Sequence, residues 1–148
     1  MARKYALVGT QNAGSNVTVI GMTSAATIRP AIYDIVLGCG ATPADLAGRI
    51  AVARFTAAGT STAVTPLALD PQDPASLAAG GSNHTVEPTY TAGGILLQFG
   101  LNQRATFRWV AAPGGELKAP ATAANGIGMY FVSHGGTPDC EGSFHWEE

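Results

Sequence analysis

The sequence predicts an all-β protein, a jelly-roll-like β-sandwich of about eight to ten short antiparallel strands. Three observations carry that prediction. Apolar and polar residues alternate in short runs, the period of a half-buried strand. The i, i+3, i+4, i+7 repeat of an amphipathic helix is nearly absent. The 19 glycines and 9 prolines interrupt the 148-residue chain too often for long helices.

Taken in order, Tyr5–Thr10 reads as a first strand, Gln11–Asn16 as a turn-rich loop, and Val17–Thr23 as a second strand in which Val17 and Val19 alternate with Thr18. After Pro30, Ala31–Cys39 is an apolar strand; strict alternation puts Tyr33, Ile35 and Leu37 on one face and Ile32, Asp34 and Val36 on the other. Thr42–Ala47 is expected to form a single helical turn, with Thr42 as N-cap and Pro43 at the first helical position. Arg49–Thr56 is a strand that turns at Ala57–Thr60 and pairs back with Thr62–Leu69 as a hairpin. Asp70–Leu77 is a loop with at most one helical turn. Thr85–Tyr90 and the strongly apolar Ile95–Leu101 are strands joined by a tight turn at Thr91–Gly94.

In Ala105–Ala111, Phe107 and Trp109 share a face opposite Thr106 and Arg108. Pro113-Gly114-Gly115 is a hairpin turn returning through Glu116–Pro120, because proline presets φ and glycine accepts positive φ. Asn125-Gly126 signals another turn. Ile127–Ser133 is a core strand with Ile127, Met129 and Phe131 on one face, and a Gly135-Gly136-Thr137-Pro138 hairpin loop leads to Glu141–Glu148, where Phe144 and Trp146 share a face. The longer connections at 38–48 and 70–84 favour crossovers between two sheets, hence a jelly roll. An immunoglobulin-like sandwich has fewer strands and a Cys…Trp…Cys spacing that is missing here.

The length suits one domain over residues 1–148, with residues 1–4 as a flexible N-terminal arm. Charged residues make up 12% of the chain, about half the usual share. A free monomer normally covers itself with charge; this surface of Ala, Gly, Thr and Ser suits a protein packed against copies of itself or a partner. Net charge is −2 and cations are scattered apart from the Arg3-Lys4 pair, so no nucleic-acid partner is expected. No run approaches the ~20 apolar residues of a membrane span, and the first apolar run is too short for a secretion signal, so synthesis in the cytoplasm is expected. For a cytoplasmic product the default reading of Cys39 and Cys140 is two free, buried thiols; a disulfide requires their Cα atoms to come close.

Chemistry-bearing constellations are weak. His134, Cys140 and His145 are metal-ligand types, but their spacing matches no zinc module, and no metal is expected. Cys39 lies between two glycines and reads as a small residue at a tight turn. Asp70 and Asp73 flank prolines as turn and capping residues, without the Asp-x-Asp-x-Asp-Gly calcium pattern, and Glu147 and Glu148 read as solvated. No nucleophile elbow, phosphate-binding loop or dinucleotide fingerprint occurs, so neither catalytic residues nor a cofactor are expected. Trp109 and Trp146 each share a face with another aromatic, a core pattern more than a sugar platform. Arg104 and Arg108, flanking the aromatic pair, are candidate interface residues, as are Arg3 and Lys4 in the arm.

Two segments carry a resemblance: Ile28–Ile35 (IRPAIYDI) and Leu97–Leu117 (LQFGLNQRATFRWVAAPGGEL). Together they resemble small virion proteins encoded among the head genes of tailed bacteriophages, similar to jelly-roll decoration, or cement, proteins. The resemblance implies a virion structural protein on the capsid surface, bound to the major capsid protein, self-associated as a trimer, and without catalytic residues. A receptor- or glycan-binding module of a phage fibre or tail is the alternative. A small cupin-like metalloenzyme is a third reading, poorly served by three histidines.

Overall fold

The structure, a computed structural model, describes residues 2–12 and 17–148. Its strands are β1 (Lys4–Asn12), β2 (Thr18–Thr23), β3 (Ala31–Cys39), β4 (Ala47–Ala57), β5 (Thr60–Val64), β6 (Leu67–Ala68), β7 (Ala79–Val86), β8 (Thr89–Asn102), β9 (Phe107–Val110), β10 (Leu117–Lys118), β11 (Gly126–His134) and β12 (Asp139–Glu147). No helix occurs among the described residues. The loop expected at Gln11–Asn16 lies, from residue 13 onward, outside them, as does Met1 of the expected arm.

Two sheets face each other. The first runs β10-β3-β12-β1-β6, with β9 also paired to β3; the second runs β5-β7-β2-β11-β4-β8. The pairing is nested: β1 with β12, β2 with β11, β3 with β9 and β10, β4 with β8, all antiparallel. That nesting is one long hairpin rolled upon itself, the jelly-roll arrangement. The excursion β5–β7 adds edge strands to both sheets. The connections after β3 and after β6 each cross between sheets, as expected from their length.

The core lies where the inner faces meet. Tyr5, Leu7, Ile32, Ile35, Phe144 and Trp146 of the first sheet pack on Ile20, Met22, Ile50, Val52, Met129 and Phe131 of the second. A smaller aromatic layer covers the outside of the second sheet. Phe55, Tyr90 and Tyr130 pack in series there, with ring centroids 6.2 and 4.2 Å apart. They lie over a glycine strip: a Cβ at Gly128 would stand 2.5 Å from the Tyr90 hydroxyl, and one at Gly126 would strike the Phe55 ring. Thr18 ties this layer down. Its Oγ1 lies 2.8 Å from the Tyr90 hydroxyl, and its N and Oγ1 donate to Glu87 Oε2 at 2.8 and 2.5 Å.

Several expectations are corrected. Thr62–Leu69 is not the hairpin partner of Arg49–Thr56, because β8 and β11 occupy both edges of β4. Instead Thr65-Pro66 splits the segment; β5 joins β7 in the second sheet and β6 joins β1 in the first. Thr42–Ala47 forms no helical turn. Ala44 N donates to Gln103 Oε1 (3.0 Å) and Gln103 N to Leu46 O (3.0 Å), which draws the segment out toward β4. Thr91–Gly94 does not reverse the chain but lies inside β8, where register shifts and a φ of +70° at Gly93 mark bulging. Pro113-Gly114-Gly115 does turn, with Gly115 N donating to Ala112 O (2.8 Å), yet β10 continues along the β3 edge that β9 occupies. The chain bulges out and resumes in the same direction. The Gly135–Pro138 connection likewise is no hairpin; it carries the chain from β11 in the second sheet to β12 in the first.

On β3 a bulge opposite His145 and Trp146 inserts one residue, so Ile32, Ile35 and Leu37 face inward together and Tyr33 is displaced outward. Cys39 and Cys140 are direct partners across β3 and β12, Cα atoms 4.0 Å apart, and are joined as a disulfide, not free thiols. Arg3 and Lys4 are not a free arm. Lys4 opens β1, and Arg3 exchanges backbone hydrogen bonds with Glu148 at 3.1 and 2.9 Å.

Candidate assembly surface

The two lateral sides of the sandwich differ from an ordinary polar surface. On one side β8 of the second sheet lies beside β9 of the first, and Phe99 stacks on Phe107 with centroids 3.6 Å apart. Leu97, Phe99, Phe107, Trp109 and Leu117 pack against the core here but stay partly exposed, so the sandwich is incompletely closed. β4 is the sheet neighbour of β8, and the alternate amides and carbonyls of β8's other edge point away from it. Residues 89–102 contain no Asp, Glu, Lys, Arg or Pro, the residues that usually block such an edge. Arg54 of β4 bridges the sheets at this side, donating from Nε (3.2 Å) and Nη2 (3.1 Å) to the Lys118 carbonyl.

Arg108 projects from β9 onto the outer face of the first sheet and grips Asp34 of β3, Nε to Oδ1 at 3.1 Å and Nη2 to Oδ2 at 2.6 Å. The Asp34 side chain is 8% exposed, and His145 Nδ1 lies 3.7 Å from Oδ2 on its far side. The Arg108 hydrogen bonds hold the Asp34 carboxyl below its ordinary value; burial opposes them, and the charges of Arg108 and His145 add to the lowering.

The opposite side is built from β6, the start of β1 and the 69–78 loop. Leu67, Leu69 and Val8 are 69%, 51% and 58% exposed. Leu67 pairs with Ala6, and Leu69 N donates to Lys4 O (2.8 Å), which places these two leucines at one sheet edge; Val8, further along β1, lies on the outer face. Arg3 lies 3.9 Å from Asp73, and Lys4 Nζ stands 5.2 Å from the Tyr33 ring centroid.

The four interface candidates therefore do not form one surface. Arg104 and Arg108 flank the β8–β9 side, and Arg3 and Lys4 sit at the β6 side, across the width of the first sheet. Sequence reasoning missed Asp34 as the partner of Arg108, and the exposed Val8, Leu67 and Leu69. The charge-free run 89–102 was the one available signal for an open edge.

The proposed chemical clusters are separated. Cys140 is in the disulfide, His134 ends β11 in the second sheet, and His145 lies on the outer face of the first. Among the described residues no group of three or more His, Cys, Asp or Glu could hold a metal. Asp70 Oδ1 accepts from Gln72 N (3.0 Å), the turn role expected of it. Glu148 is not merely solvated. Its carboxylate accepts from Ser76 Oγ (2.5 Å), Leu77 N (3.1 Å) and Trp146 Nε1 (3.1 Å), pinning the loop before β7. Trp146 is fully buried against Tyr5 (centroids 5.9 Å apart) and so offers no sugar platform. A groove of about 390 Å³ on the outside of the first sheet is lined by Val8, Val36, Gly38, Thr106, Glu141 and Ser143, among others; Glu141 is its one ionisable group.

Compared with protein-family models, with curated proteins and with solved structures, the chain matches none. The fold and this surface define its class: a two-sheet jelly-roll-like sandwich that exposes apolar residues at both lateral sides.

Proposed function

We propose that this chain is a virion structural protein, a decoration or cement protein that binds the major capsid protein of a tailed-phage capsid, stabilises the shell, and self-associates as a trimer. The observation that carries this reading is the partly exposed apolar side between β8 and β9, bordered by a strand edge without charge or proline. An edge and seam of this kind are a liability in a free monomer and an asset in an assembled one. The overall charge deficit points the same way. A jelly-roll frame supplies a rigid block, and an oligomer that touches several lattice points binds tightly through modest contacts. The Cys39–Cys140 disulfide suits a particle made in the host cytoplasm that ends outside the cell, since virion surfaces tolerate disulfides and the cytoplasm reduces them.

The test is co-sedimentation of the purified protein with expanded, undecorated phage heads. Saturable binding and a raised temperature of head disruption are expected. Protein that stays in the supernatant at every concentration contradicts the reading.

A further inference from the structure

The aromatic layer outside the second sheet stops one ring short of its glycine floor, and we propose that the uncovered part is a binding site for a single uncharged phenol ring. Phe55 lies over Gly126 of β11 and Tyr90 over Gly128. Register carries that floor on across the sheet: Gly128 pairs with Gly21 of β2, Gly21 with Gly81 of β7, and Gly81 with Ala63 of β5. Beyond Phe55 this floor opens into a cavity of about 190 Å³, walled by Phe55 of β4, His84 of β7 and Ser61 of β5. The site is separate from both lateral sides, and nothing in it depends on the chain being an assembly subunit.

Size, shape and charge select the ligand. A cavity of about 150 Å³ takes one benzene ring, so this one holds a single ring and little more. Glycines paired across neighbouring strands leave bare peptide planes, a flat floor on which a planar group lies. Phe55 already meets one ring, Tyr90, edge to face at 83°; a ring in the cavity continues the series, with the extra attraction that aromatic pairs gain over plain burial. Among the described residues lining the cavity, His84 is the one ionisable group. Burial lowers its pKa below the ordinary value, against the nearby Glu87 charge and Thr18 backbone, so the imidazole is uncharged at neutral pH. A charged ligand entering here finds no counter-ion to offset its desolvation.

His84 supplies the polar handle. The residue is 7% exposed, and its Nδ1 is buried without a hydrogen-bond partner. Its Nε2 hangs over the floor, 3.3 Å from where a Cβ on Gly21 would stand and 3.6 Å from one on Gly81. Proteins satisfy nearly all of their buried polar groups, so a side chain this enclosed and this poorly bonded points to a partner from outside the chain. A neutral imidazole has one donating and one accepting nitrogen, and a hydroxyl both donates and accepts. A phenol hydroxyl therefore matches Nε2 in either tautomer, and the Ser61 hydroxyl stands at the same cavity.

The experiment is an amide proton–nitrogen correlation spectrum of the purified, oxidised chain, titrated separately with p-cresol, toluene and N-acetyltyrosinamide. Saturable p-cresol shifts centred on Gly21, Ser61, Gly81 and His84 are expected. Toluene, which lacks the hydroxyl, is expected to bind about fivefold more weakly, the worth of one hydrogen bond. His84→Phe should erase that difference. Ala63→Leu, on the exposed edge strand β5, should fill the cavity and abolish binding of both. If His84→Phe fails to fold, the toluene comparison and Ala63→Leu still decide. N-acetyltyrosinamide binding as tightly as p-cresol assigns the ring to a tyrosine of a partner protein; p-cresol binding alone assigns it to a free phenol. The proposal is overturned if p-cresol shifts stay linear up to its solubility limit, if they centre elsewhere, if toluene binds equally well, or if folded Ala63→Leu binds as the wild type does.

Discussion

Arg108 and Asp34 are joined by two parallel hydrogen bonds across the β9–β3 pair, and the carboxylate so held is among the most enclosed charges on the outer face of the first sheet. The pair is asymmetric: Arg108 is largely exposed and Asp34 is not. Removing the arginine therefore leaves a buried carboxylate whose remaining basic neighbour is His145, with Nδ1 3.7 Å from Oδ2.

Arg108→Gln is expected to destabilise the fold at neutral pH, because the enclosed Asp34 carboxylate loses its bidentate partner. The sign of the pH dependence follows from the direction of the shift. In the wild type, Asp34's folded pKa lies below its ordinary value of 3.8, so its contribution is present above that value and is lost as pH falls through the lowered one. In Arg108→Gln the largest lowering cause is gone and burial is opposed by His145 alone, so the stability that Asp34 contributes above its ordinary value shrinks. Urea midpoints measured across the acidic range distinguish the two. Parallel curves for variant and wild type would show that the pair does not couple to folding.

The Cys39–Cys140 bond closes a loop of 101 residues in sequence separation and ties β3 to β12. Reduction, or Cys140→Ala with Cys39→Ala, is expected to cost about 2–5 kcal/mol, mainly by freeing the unfolded chain. Thiol titration of the denatured, unreduced protein checks the bond itself. No reactive thiol is expected, and two per chain would refute it.

Tyr90 is expected to resist ionisation. Burial pushes its hydroxyl far above the usual phenol range; the Thr18 hydrogen bond pulls down more weakly. A group with a raised folded pKa contributes stability below its unfolded value, near 10, and withdraws it as pH climbs above. Alkaline absorbance titration should show tyrosinate from Tyr90 appearing only with unfolding. Tyr90→Phe should remove that component and cost about 1 kcal/mol for the lost hydrogen bond to Thr18. Ionisation of Tyr90 in a still-folded protein would contradict the enclosure of its hydroxyl beside Thr18.

The sequence was legible where alternation meets a one-sided core. Ile127, Met129 and Phe131 face inward as their spacing requires, and so do Phe144 and Trp146. The crossovers after β3 and β6 were legible from length. What failed were statements about which strand lies next to which. Nothing in Thr62–Leu69 reveals that β4 has both edges filled, and nothing in Pro113-Gly114-Gly115 separates a reversal from a bulge in one edge strand. The inserted residue on β3 shifted Tyr33 and Ile32 between faces, because alternation read from sequence assumes no bulge. At the candidate surface beside β8 and β9, Arg104 and Arg108 were visible in the sequence. Arg3 and Lys4 were placed with them only because sequence does not say which side of a sheet a terminus occupies. The disulfide escaped for the same reason: compartment argues against it, and only register brings the two sulfurs together.

The most direct measurement is sedimentation equilibrium of the purified, oxidised chain over a wide concentration range. On the proposed reading the chain sediments as a closed oligomer, three times 15.0 kDa for a trimer, with its mass independent of concentration. A single 15.0 kDa species at every concentration would contradict the proposed self-association.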